Sequence, residues 1–407
     1  MSGPGARATR PVVATVDLSA LAANVVLLQG LVAPSRLCVV VKADGYGHGA
    51  VSVAGAAAEA GADYFAVALV EEGVELREAG IAAPILVLSE PPAEAFPIAV
   101  RHDLTVTCYT PAGLEAAERA AAEGGRQLAV HLKLDSGMHR VGTSEEQLPA
   151  LAVRAEGSSH LRLEGLFTHL AVADDPDDPF TGVQLGRLET ARARLRRLGI
   201  APPLVHAANS AAAIAHPESR LDLVRCGIAC YGHLPSVAVG PILSAALPGR
   251  ELAPVLSLSS TVHLVRRLAR GERPSYGRRY ELAEDGYLAT VPIGYADGVP
   301  RPLGESGGEV LIRGRRRRIA GTVTMDQLMV DCGPEGDVEP GDEVVLIGRQ
   351  GAAEVTAEEW AERTGTVAYE ILTRIGPRVP RRAKPIGASR TEAEPHPVAV
   401  EKLAARQ

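Results

Sequence analysis

Lys42 is the residue whose position most clearly suggests chemistry. It directly follows the apolar run Cys38–Val41, which is typical of a parallel strand covered on both faces. Gly45, Gly47 and Gly49 come next at alternate positions, so the backbone can turn sharply and approach a ligand closely. Lysine is rarely buried without a partner. The pattern predicts either a Schiff-base lysine at an active-site mouth or a salt-bridged lysine beside an ordinary glycine loop.

Polar side chains follow several other apolar runs of the first 250 residues, namely Arg140, His169, Asn209–Ser210 and Arg225. The runs alternate with helical segments, and eight such strands indicate a (β/α)8 barrel of the TIM type. Because barrel active sites lie at the C-terminal ends of the strands, we expect these polar residues to converge there. The predicted strands are Leu37–Val41, Tyr64–Leu69, Ile85–Leu88, Leu104–Tyr109, Leu128–Leu134, Leu163–Thr168, Leu204–Ala207 and Leu223–Tyr231.

The sequence pattern changes from about Glu251 onwards. Strand-like runs are separated there by glycine-rich turns such as Gly304–Gly308, and no long helical pattern occurs. This predicts a second, all-β domain, so the fold class is α/β plus all-β. We expect a flexible N-terminus over 1–11, the barrel over 12–250, the β-strand domain over 251–383 and a flexible tail over 384–407.

Composition narrows the classes of function. A net charge of −7 argues against a nucleic-acid partner held by phosphate neutralisation. Five cysteines, scattered through apolar runs, fit a reducing cytoplasmic setting and complete no metal site. Met1–Arg10 lacks the apolar core of a signal peptide, and no apolar run is long enough to span a bilayer. These features are common among enzymes that act on small metabolites.

The stretch Val40–Gly49 resembles the attachment motif for pyridoxal 5'-phosphate (PLP) in the alanine racemases, and the similarity extends from about Val12 to Arg382. The family usually has Asn-Ala where this chain has Asp44–Gly45. The resemblance implies that Lys42 carries the cofactor. It also implies an enzyme that interconverts L-alanine and D-alanine and supplies D-alanine for peptidoglycan.

The resemblance further implies a partner for each part of the cofactor. Arg225 is expected beside the ring nitrogen, where a permanently charged guanidinium donates a hydrogen bond but no proton. His169 and His206 are implied to support that arginine. Backbone N–H groups near Ser210 are expected to hold the phosphate, although a serine there is more often only a helix cap. The implied cofactor contacts are Lys42, Tyr46, His169, Asn209, Ser210, Arg225, Gly227, Ile228 and Tyr369.

Tyr276 matches the motif of the family's second catalytic base. It lies in the predicted β domain, far along the chain from Lys42. In the family a head-to-tail homodimer brings this tyrosine to the barrel of the partner subunit. The resemblance also implies that Met325–Asp326 contacts the substrate and that Tyr295 lines the entrance.

Three other positions bear on the substrate. Arg140 is implied to hold the alanine carboxylate, and Lys133 matches a lysine that is often carbamylated in the family and then orients that arginine. Thr322 stands where the family frequently has arginine in the entrance channel. This departure bears on how substrate enters rather than on the reaction.

Three alternative functions stay open. A decarboxylase on the same two-domain framework pairs the ring nitrogen with a glutamate, which this sequence does not show. A non-catalytic PLP-binding protein lacks the β domain and its tyrosine. A racemase of broader specificity, for example one that accepts serine, is not distinguished by these residues.

Overall fold

The computed structural model of the chain describes residues 10–387. After strand β1 (Val13–Asp17), eight parallel strands form one curled, nearly closed sheet. The first seven of them pair in chain order and the eighth pairs with the first, while the seventh and eighth form no paired ladder in the described residues. They are β2 (Arg36–Val40), β3 (Tyr64–Val67), β4 (Ile85–Val87), β5 (Thr105–Cys108), β6 (Leu128–Lys133), β7 (Leu161–Phe167), β8 (Leu204–His206) and β9 (Leu223–Cys226). Near the closure, Asp222 N donates to Val205 O at 3.0 Å. The predicted (β/α)8 barrel is confirmed.

The helices of this part cover the outside of the barrel or begin at its mouth. Asp17 caps the first of them by accepting a hydrogen bond from Ala20 N at 3.0 Å. None of the helices in residues 10–387 is both long and apolar enough to cross a membrane. The helices are α1 (Leu18–Val32), α2 (Lys42–Gly47), α3 (Ala50–Glu59), α4 (Val70–Glu78), α5 (Phe96–Arg101), α6 (Pro111–Glu123), α7 (Leu148–Gly157), α8 (Phe180–Arg197), α9 (Ser210–Ala215) and α10 (Gly240–Ala246).

The rest of the chain is mainly strands, as predicted. A seven-stranded sheet has the order β14-β13-β16-β10-β1-β18 with β17 paired to β16, and a smaller sheet has the order β11-β12-β15. Two short helices, α11 (Ala357–Thr364) and α12 (Ala368–Thr373), follow the strands and approach the barrel. The strands are β10 (Leu256–Thr261), β11 (Leu264–Leu268), β12 (Gly286–Val291), β13 (Glu309–Ile312), β14 (Arg315–Arg318), β15 (Leu328–Asp331), β16 (Glu343–Gln350), β17 (Ala353–Val355) and β18 (Arg381–Lys384).

The two ends of the described chain meet in the larger sheet. Strand β1 pairs antiparallel with β10 and parallel with β18, so it is not one of the barrel strands although it lies inside the range 12–250. Lys384 ends β18 and therefore lies in a strand rather than in a flexible tail. Residues 1–9 and 388–407, where most of the two flexible ends were predicted, lie outside the described residues. The domain boundaries as a whole stay predictions.

The predicted strand Leu223–Tyr231 is wrong in its second half. Strand β9 ends at Cys226, and the chain then turns, with Cys230 N donating to Gly227 O at 2.8 Å. The turn brings Gly227 against Tyr46, where a Cβ atom on residue 227 would lie only 2.2 Å from the tyrosine Oη. The close approach requires glycine and opens the strand end toward the barrel mouth.

Candidate active site

A cavity of about 840 Å³ opens at the C-terminal ends of the barrel strands. This is the end at which barrel enzymes carry their active sites. The structure brings together here every residue predicted to bind the cofactor, together with Arg140, predicted to hold the substrate carboxylate, and Lys133, predicted to orient that arginine. Those residues are Lys42, Tyr46, Lys133, Arg140, His169, Asn209, Ser210, Arg225, Gly227, Ile228 and Tyr369.

Lys42 begins a left-handed turn. Ala43, Asp44, Gly45 and Tyr46 all have φ between 52° and 59°, a region that residues other than glycine rarely adopt. Side chains support the turn at both ends: Ala43 N donates to Glu72 Oε1 at 2.7 Å, and Asp44 Oδ1 accepts from Ala50 N at 2.8 Å. Such strain persists where the surroundings over-determine the backbone, and here it fixes the direction of Lys42.

The Lys42 amine lies in a cation-rich environment. Burial and, to a smaller extent, the charge of Arg140 lower its pKa, while Glu72 acts in the opposite direction. A lowered pKa raises the fraction of neutral amine, the form that acts as nucleophile and base. The position and chemistry of Lys42 therefore suit covalent attachment to a carbonyl compound.

Arg225 is buried at the end of β9 and donates in several directions. Its guanidinium donates to Thr168 O at 2.9 Å, to Ala207 O at 3.0 Å and to His206 Nδ1 at 2.7 Å. Burial lowers its pKa to about 10, which still leaves it charged at neutral pH. His169 Nδ1 lies 3.3 Å from the same guanidinium, and burial together with Arg225 lowers the pKa of His169 to about 3. The histidine is therefore neutral.

The turn after β9 and the start of α9 form a pocket for an anion. Gly227 N donates to Ser210 Oγ at 3.0 Å. Within residues 10–387 neither Ser210 N nor Ile228 N reaches a protein acceptor. The rings of Tyr46 and Tyr369 lie 6.1 Å apart beside the same turn. Free backbone N–H groups and tyrosine hydroxyls are the donors that a phosphate needs.

Asn209, not Ser210, caps helix α9. Asn209 Oδ1 accepts from Ala212 N at 3.0 Å, whereas Ser210 Oγ accepts from the turn after β9. The interpretation of Ser210 as the helix cap is therefore wrong. An Asn side chain at the N-cap position is long enough to reach the N3 amide, which leaves the Ser210 hydroxyl to fix the neighbouring turn.

Lys133 and Arg140 also line the cavity. Lys133 Nζ lies 3.4 Å from Leu88 O and 5.2 Å from the centre of the Phe167 ring. Burial and the nearby cations, Arg225 first among them, lower the Lys133 pKa to about 7. A substantial fraction of this amine is neutral near pH 7, and the neutral form is the one that reacts with carbon dioxide.

The remaining predicted residues form a separate surface, which we call the tyrosine patch: Tyr276, Tyr295, Met325 and Asp326. Tyr276 is 71% exposed and Met325 is 52% exposed. Backbone bonds hold the patch together, because Tyr295 N donates to Thr324 O at 2.9 Å and Ala296 N donates to Met325 O at 3.0 Å. Within the part of the chain that the structure describes, no patch residue lines the barrel cavity.

Sequence reasoning missed several residues that shape the site. Phe167 stacks on His206 with ring centres 4.6 Å apart and lies 5.2 Å from the Arg225 guanidinium carbon. Glu72 supports the Lys42 turn from helix α4, 30 residues later in the chain. The position of Phe167 at the end of the observed strand β7 is a signal that the search for polar residues at strand ends passed over. Glu72 carried no such signal, because its role depends on tertiary contact.

Comparison with known proteins identifies the family of this chain. The alanine racemase N-terminal domain model matches residues 16–235, and the alanine racemase C-terminal domain model matches residues 255–383. The chain belongs to the alanine racemase family. It is 46% identical to an alanine racemase of Symbiobacterium thermophilum over 373 residues, which cover 91% of this chain and 97% of that protein. It is 42% identical to the alanine racemase of Thermobifida fusca, with coverage of 90% and 96%.

Solved alanine racemases share the architecture over most of the chain. The enzyme of Streptomyces coelicolor A3(2) superposes with a TM-score of 0.86 at 39% identity, covering 92% of this chain and 98% of that one. An alanine racemase of Bacillus anthracis with bound L-Ala-P gives 0.86 at 38% identity, with coverage of 94% and 97%. Like its relatives in this family, the chain is a racemase. The match of the C-terminal domain separates it from single-domain PLP-binding proteins.

Proposed function

We propose that this alanine racemase interconverts L-alanine and D-alanine with PLP bound in the barrel cavity. The observation that carries the proposal is the arrangement of Lys42, Arg225 and the free amides of Ser210 and Ile228 around one cavity. These groups match an aldehyde, a ring nitrogen and a phosphate, the three recognition elements of PLP. When bound, PLP supplies an electron sink that acidifies the α-carbon of an amino acid.

The residues fit this cofactor at the phosphate pocket, where space is most limited. A Cβ atom on residue 227 would meet the Tyr46 hydroxyl at 2.2 Å, so the glycine keeps the phosphate pocket open. Arg225 would face the ring nitrogen as a pure donor, because its pKa of about 10 keeps it protonated. Lys42 would hold the cofactor covalently, and its lowered amine pKa favours that bond.

We infer a two-base reaction from the placement of Lys42 and Tyr276. Lys42 Nζ would exchange the α-proton on the D face of the substrate, and Tyr276 Oη of the partner subunit would exchange it on the L face. The exposure of the tyrosine patch supports this arrangement, since 71% of Tyr276 is uncovered in the single chain. A head-to-tail homodimer would bring the patch of one subunit to the cavity of the other.

The substrate carboxylate would be bound between the two regions. Arg140, on the cavity wall, is the cation available on the barrel side. Met325 and Asp326 would contact the carboxylate from the partner through their backbone. We also propose that Lys133 is carbamylated and orients Arg140, because its pKa of about 7 leaves neutral amine for that reaction. The product D-alanine would be made in the cytoplasm for peptidoglycan.

The test combines turnover with chemical labelling. The purified protein is incubated with PLP and pure L-alanine, and D-alanine is measured with a stereospecific oxidase; L-serine in a parallel assay reports specificity. Borohydride reduction followed by peptide mapping should place the pyridoxyl group on Lys42. Only four lysines exist in the sequence, at positions 42, 133, 384 and 402, so the assignment is unambiguous. A label on another lysine, or no racemisation by the PLP-loaded protein before reduction, would contradict the proposal.

A further inference from the structure

A chain of buried polar side chains crosses the barrel interior from β7 to Arg225. Glu164 Oε2 lies 3.3 Å from His131 Nε2, His131 Nδ1 lies 2.9 Å from His206 Nε2, and His206 Nδ1 lies 2.7 Å from the Arg225 guanidinium. Both histidines are fully buried. We call Glu164, His131, His206 and Arg225 the relay. It begins about 10 Å below the cavity mouth, since Glu164 precedes Phe167 by three residues along β7.

The chemistry of the two ends fixes the direction of every hydrogen bond. An ionised Glu164 can only accept, so His131 must donate from Nε2. Burial lowers the pKa of His131 and of His206, so both rings are neutral and each carries one N–H. His131 Nδ1 therefore accepts from His206 Nε2, and His206 Nδ1 accepts from Arg225. The guanidinium can only donate, so the two ends require the same direction.

The surroundings of Glu164 keep it ionised. Burial raises its pKa, but hydrogen bonds from His131, Arg162 and Tyr64 together lower it below the usual value. Arg162 donates to Oε1 at 2.8 Å, and Tyr64 Oη donates to Oε2 at 2.9 Å. The side chain of Glu164 is only 14% exposed, so these bonds form in a region of low dielectric, where hydrogen-bond chains polarise one another.

The backbone around the relay is shaped to make room for it. A Cβ atom on residue 165 would lie 2.4 Å from His131 Nδ1, the atom that accepts from His206. Gly165 is thus required by the relay rather than by a turn. Phe167 covers the other side by stacking on His206 with an angle of 4° between the rings. The space left at Gly165 and the stacked ring of Phe167 together hold the histidine rings in the planes that the hydrogen bonds need.

We propose that Glu164 is a positioning residue that acts on Arg225 through His131 and His206. By fixing both histidine tautomers, it makes His206 an acceptor toward Arg225, which leaves the guanidinium oriented to donate into the cavity. Arg225 has no direct contact with a carboxylate within residues 10–387. Through the two histidines, Glu164 links a negative charge to Arg225 and so to the group of cations at the mouth, which includes Lys42. This inference rests on the proposed function, in which Arg225 faces the ring nitrogen.

The variant Glu164→Gln tests the direction of the relay with almost no change in size. Arg162 can only donate, so it would hold the amide oxygen on its own side and turn the amide NH2 toward His131. The hydroxyls of Tyr64 and Thr105, which donate to Oε2 in the wild type, can rotate and accept from that NH2. His131 Nε2 would then have to accept, so the N–H of His131 and that of His206 would each move from Nε2 to Nδ1. His206 Nδ1–H would finally face an Arg225 N–H at the position where the wild-type atoms are 2.7 Å apart. Two donors cannot share that bond, so Arg225 must shift.

The second variant, Arg162→Gln with Glu164→Gln, allows the amide to rotate. Without the arginine, the amide oxygen can accept from His131, and the wild-type direction returns. Arg162→Gln alone is the matched control, because the Glu164 carboxylate still accepts from His131. Arg162 can change without loss of core packing, because its side chain is 55% exposed, and Glu164→Gln exchanges a carboxylate for an amide of nearly the same size. All three variants are therefore expected to give a folded holoenzyme.

The direct measurement is 15N NMR of the holoenzyme labelled at histidine, in which Nδ1–H and Nε2–H tautomers have different shifts. His131 and His206 signals are assigned from the variants His131→Gln and His206→Gln. We expect Nε2–H at both positions in wild type, in Arg162→Gln and in the double variant, and Nδ1–H in Glu164→Gln. We expect kcat/KM to fall about tenfold or more in Glu164→Gln alone, mainly in kcat, with a shifted absorbance of bound PLP.

The outcomes separate the relay from the proposed function. Wild-type tautomers in Glu164→Gln, or reversed tautomers with unchanged kcat and absorbance, would overturn the role of Glu164. A double variant as impaired as Glu164→Gln would also overturn it, because the loss would then reflect the missing charge and not the direction. A wild-type protein that binds PLP but does not racemise alanine would contradict the proposed function and leave the tautomer result intact.

Discussion

The barrel mouth and the tyrosine patch differ in how completely one chain builds them. At the mouth, Arg225 has four hydrogen-bonded contacts, and Lys42 projects from a turn fixed by side chains on both sides. In the patch, Tyr276 and Met325 expose more than half of their surfaces. One chain thus supplies many internal contacts at the mouth and leaves the patch largely uncovered, a contrast that agrees with the proposed sharing of the two regions between subunits.

The two regions share strained backbone. Ala43 to Tyr46 have positive φ next to Lys42, and Ser275 and Arg278 have φ of 70° and 50° on either side of Tyr276. Residues in sparsely populated backbone regions concentrate at functional sites because the surrounding structure holds them there. In the patch, that support includes Ser275 Oγ, which donates to Thr322 O at 2.5 Å. Both candidate bases are therefore presented by constrained turns although only one is buried.

The largest effect is expected at the mouth. Lys42→Ala removes both the covalent anchor and one base, so racemisation in both directions should fall by at least about 10³-fold. Stopped assays of D-alanine and L-alanine formation measure the loss, and the absorbance of bound PLP reports the anchor. Lys384→Ala, which changes a lysine of strand β18, should leave both readouts unchanged. Retained activity in Lys42→Ala would mean that the mouth is not the catalytic region.

A change in the patch should damage turnover without damaging the fold. Tyr276→Phe removes one hydroxyl from a largely exposed ring, so the melting temperature should stay within about 1–2 °C. Racemisation of L-alanine should fall about 10²–10⁴-fold, the usual contribution of a general base. Tyr287→Phe on β12 is the matched control. Equal losses in the two variants would show that the patch has no special role.

Mixing the two damaged proteins tests whether the regions belong to different chains. A heterodimer of Lys42→Ala and Tyr276→Phe subunits contains one site with both wild-type residues and one with neither. An equal mixture that exchanges fully should therefore recover about a quarter of wild-type activity, since half of the dimers carry one good site. Native mass spectrometry confirms exchange. No recovery in verified heterodimers would place both bases in one chain.

Lys133 should make the free energy of unfolding of the protein depend on pH. Its folded-state pKa of about 7 lies below the unfolded value near 10.5, so between these values the unfolded chain binds more protons. Wild-type stability should therefore rise with pH across this window, by up to about 1.4 kcal/mol per unit. Lys133→Met removes this term, so the difference in free energy of unfolding between wild type and variant should change from pH 7 to pH 9. Urea titrations in carbon-dioxide-free buffer measure it; a constant difference would contradict the lowered pKa.

The smallest effect is expected at Thr322, beneath the patch. Its hydroxyl lies 2.6 Å from Glu305 Oε1 and 3.1 Å from the carbonyl oxygen of Tyr276. Thr322→Val keeps the shape of the side chain and removes both hydroxyl contacts, at a cost of about 1 kcal/mol in unfolding free energy. We expect KM for alanine to rise a few-fold with kcat little changed. Thr190→Val on α8, which removes a surface hydroxyl bond to Gly186 O, is the control. A kcat loss as large as that of Tyr276→Phe would show that Thr322 acts in the reaction itself.

Much of the barrel could be predicted from local pattern. Buried parallel strands need continuous apolar runs, so Tyr64–Val67 and Leu128–Lys133 are visible in the sequence without any knowledge of their neighbours. The same rule located Lys42 and His169, because residues that end such runs must converge at one edge of the barrel. Strand β14 (Arg315–Arg318) followed no such rule, since its position depends on its pairing with β13.

The sequence by itself determined the fold class, the position of Lys42 at a strand end and the family motif, because these depend on residues close together in the chain. Only the tertiary structure decided that β1 joins the sheet of the C-terminal part, that Asn209 rather than Ser210 caps α9, and that Glu164 reaches Arg225. The β1 pairing and the link from Glu164 join strands or side chains whose separation in sequence carries no periodic signal. The Asn209 cap is local, but only the contact of Ser210 with the turn after β9 separates the roles of the two residues. Which groups pair is determined by burial and by the need for every polar group inside the folded chain to form hydrogen bonds.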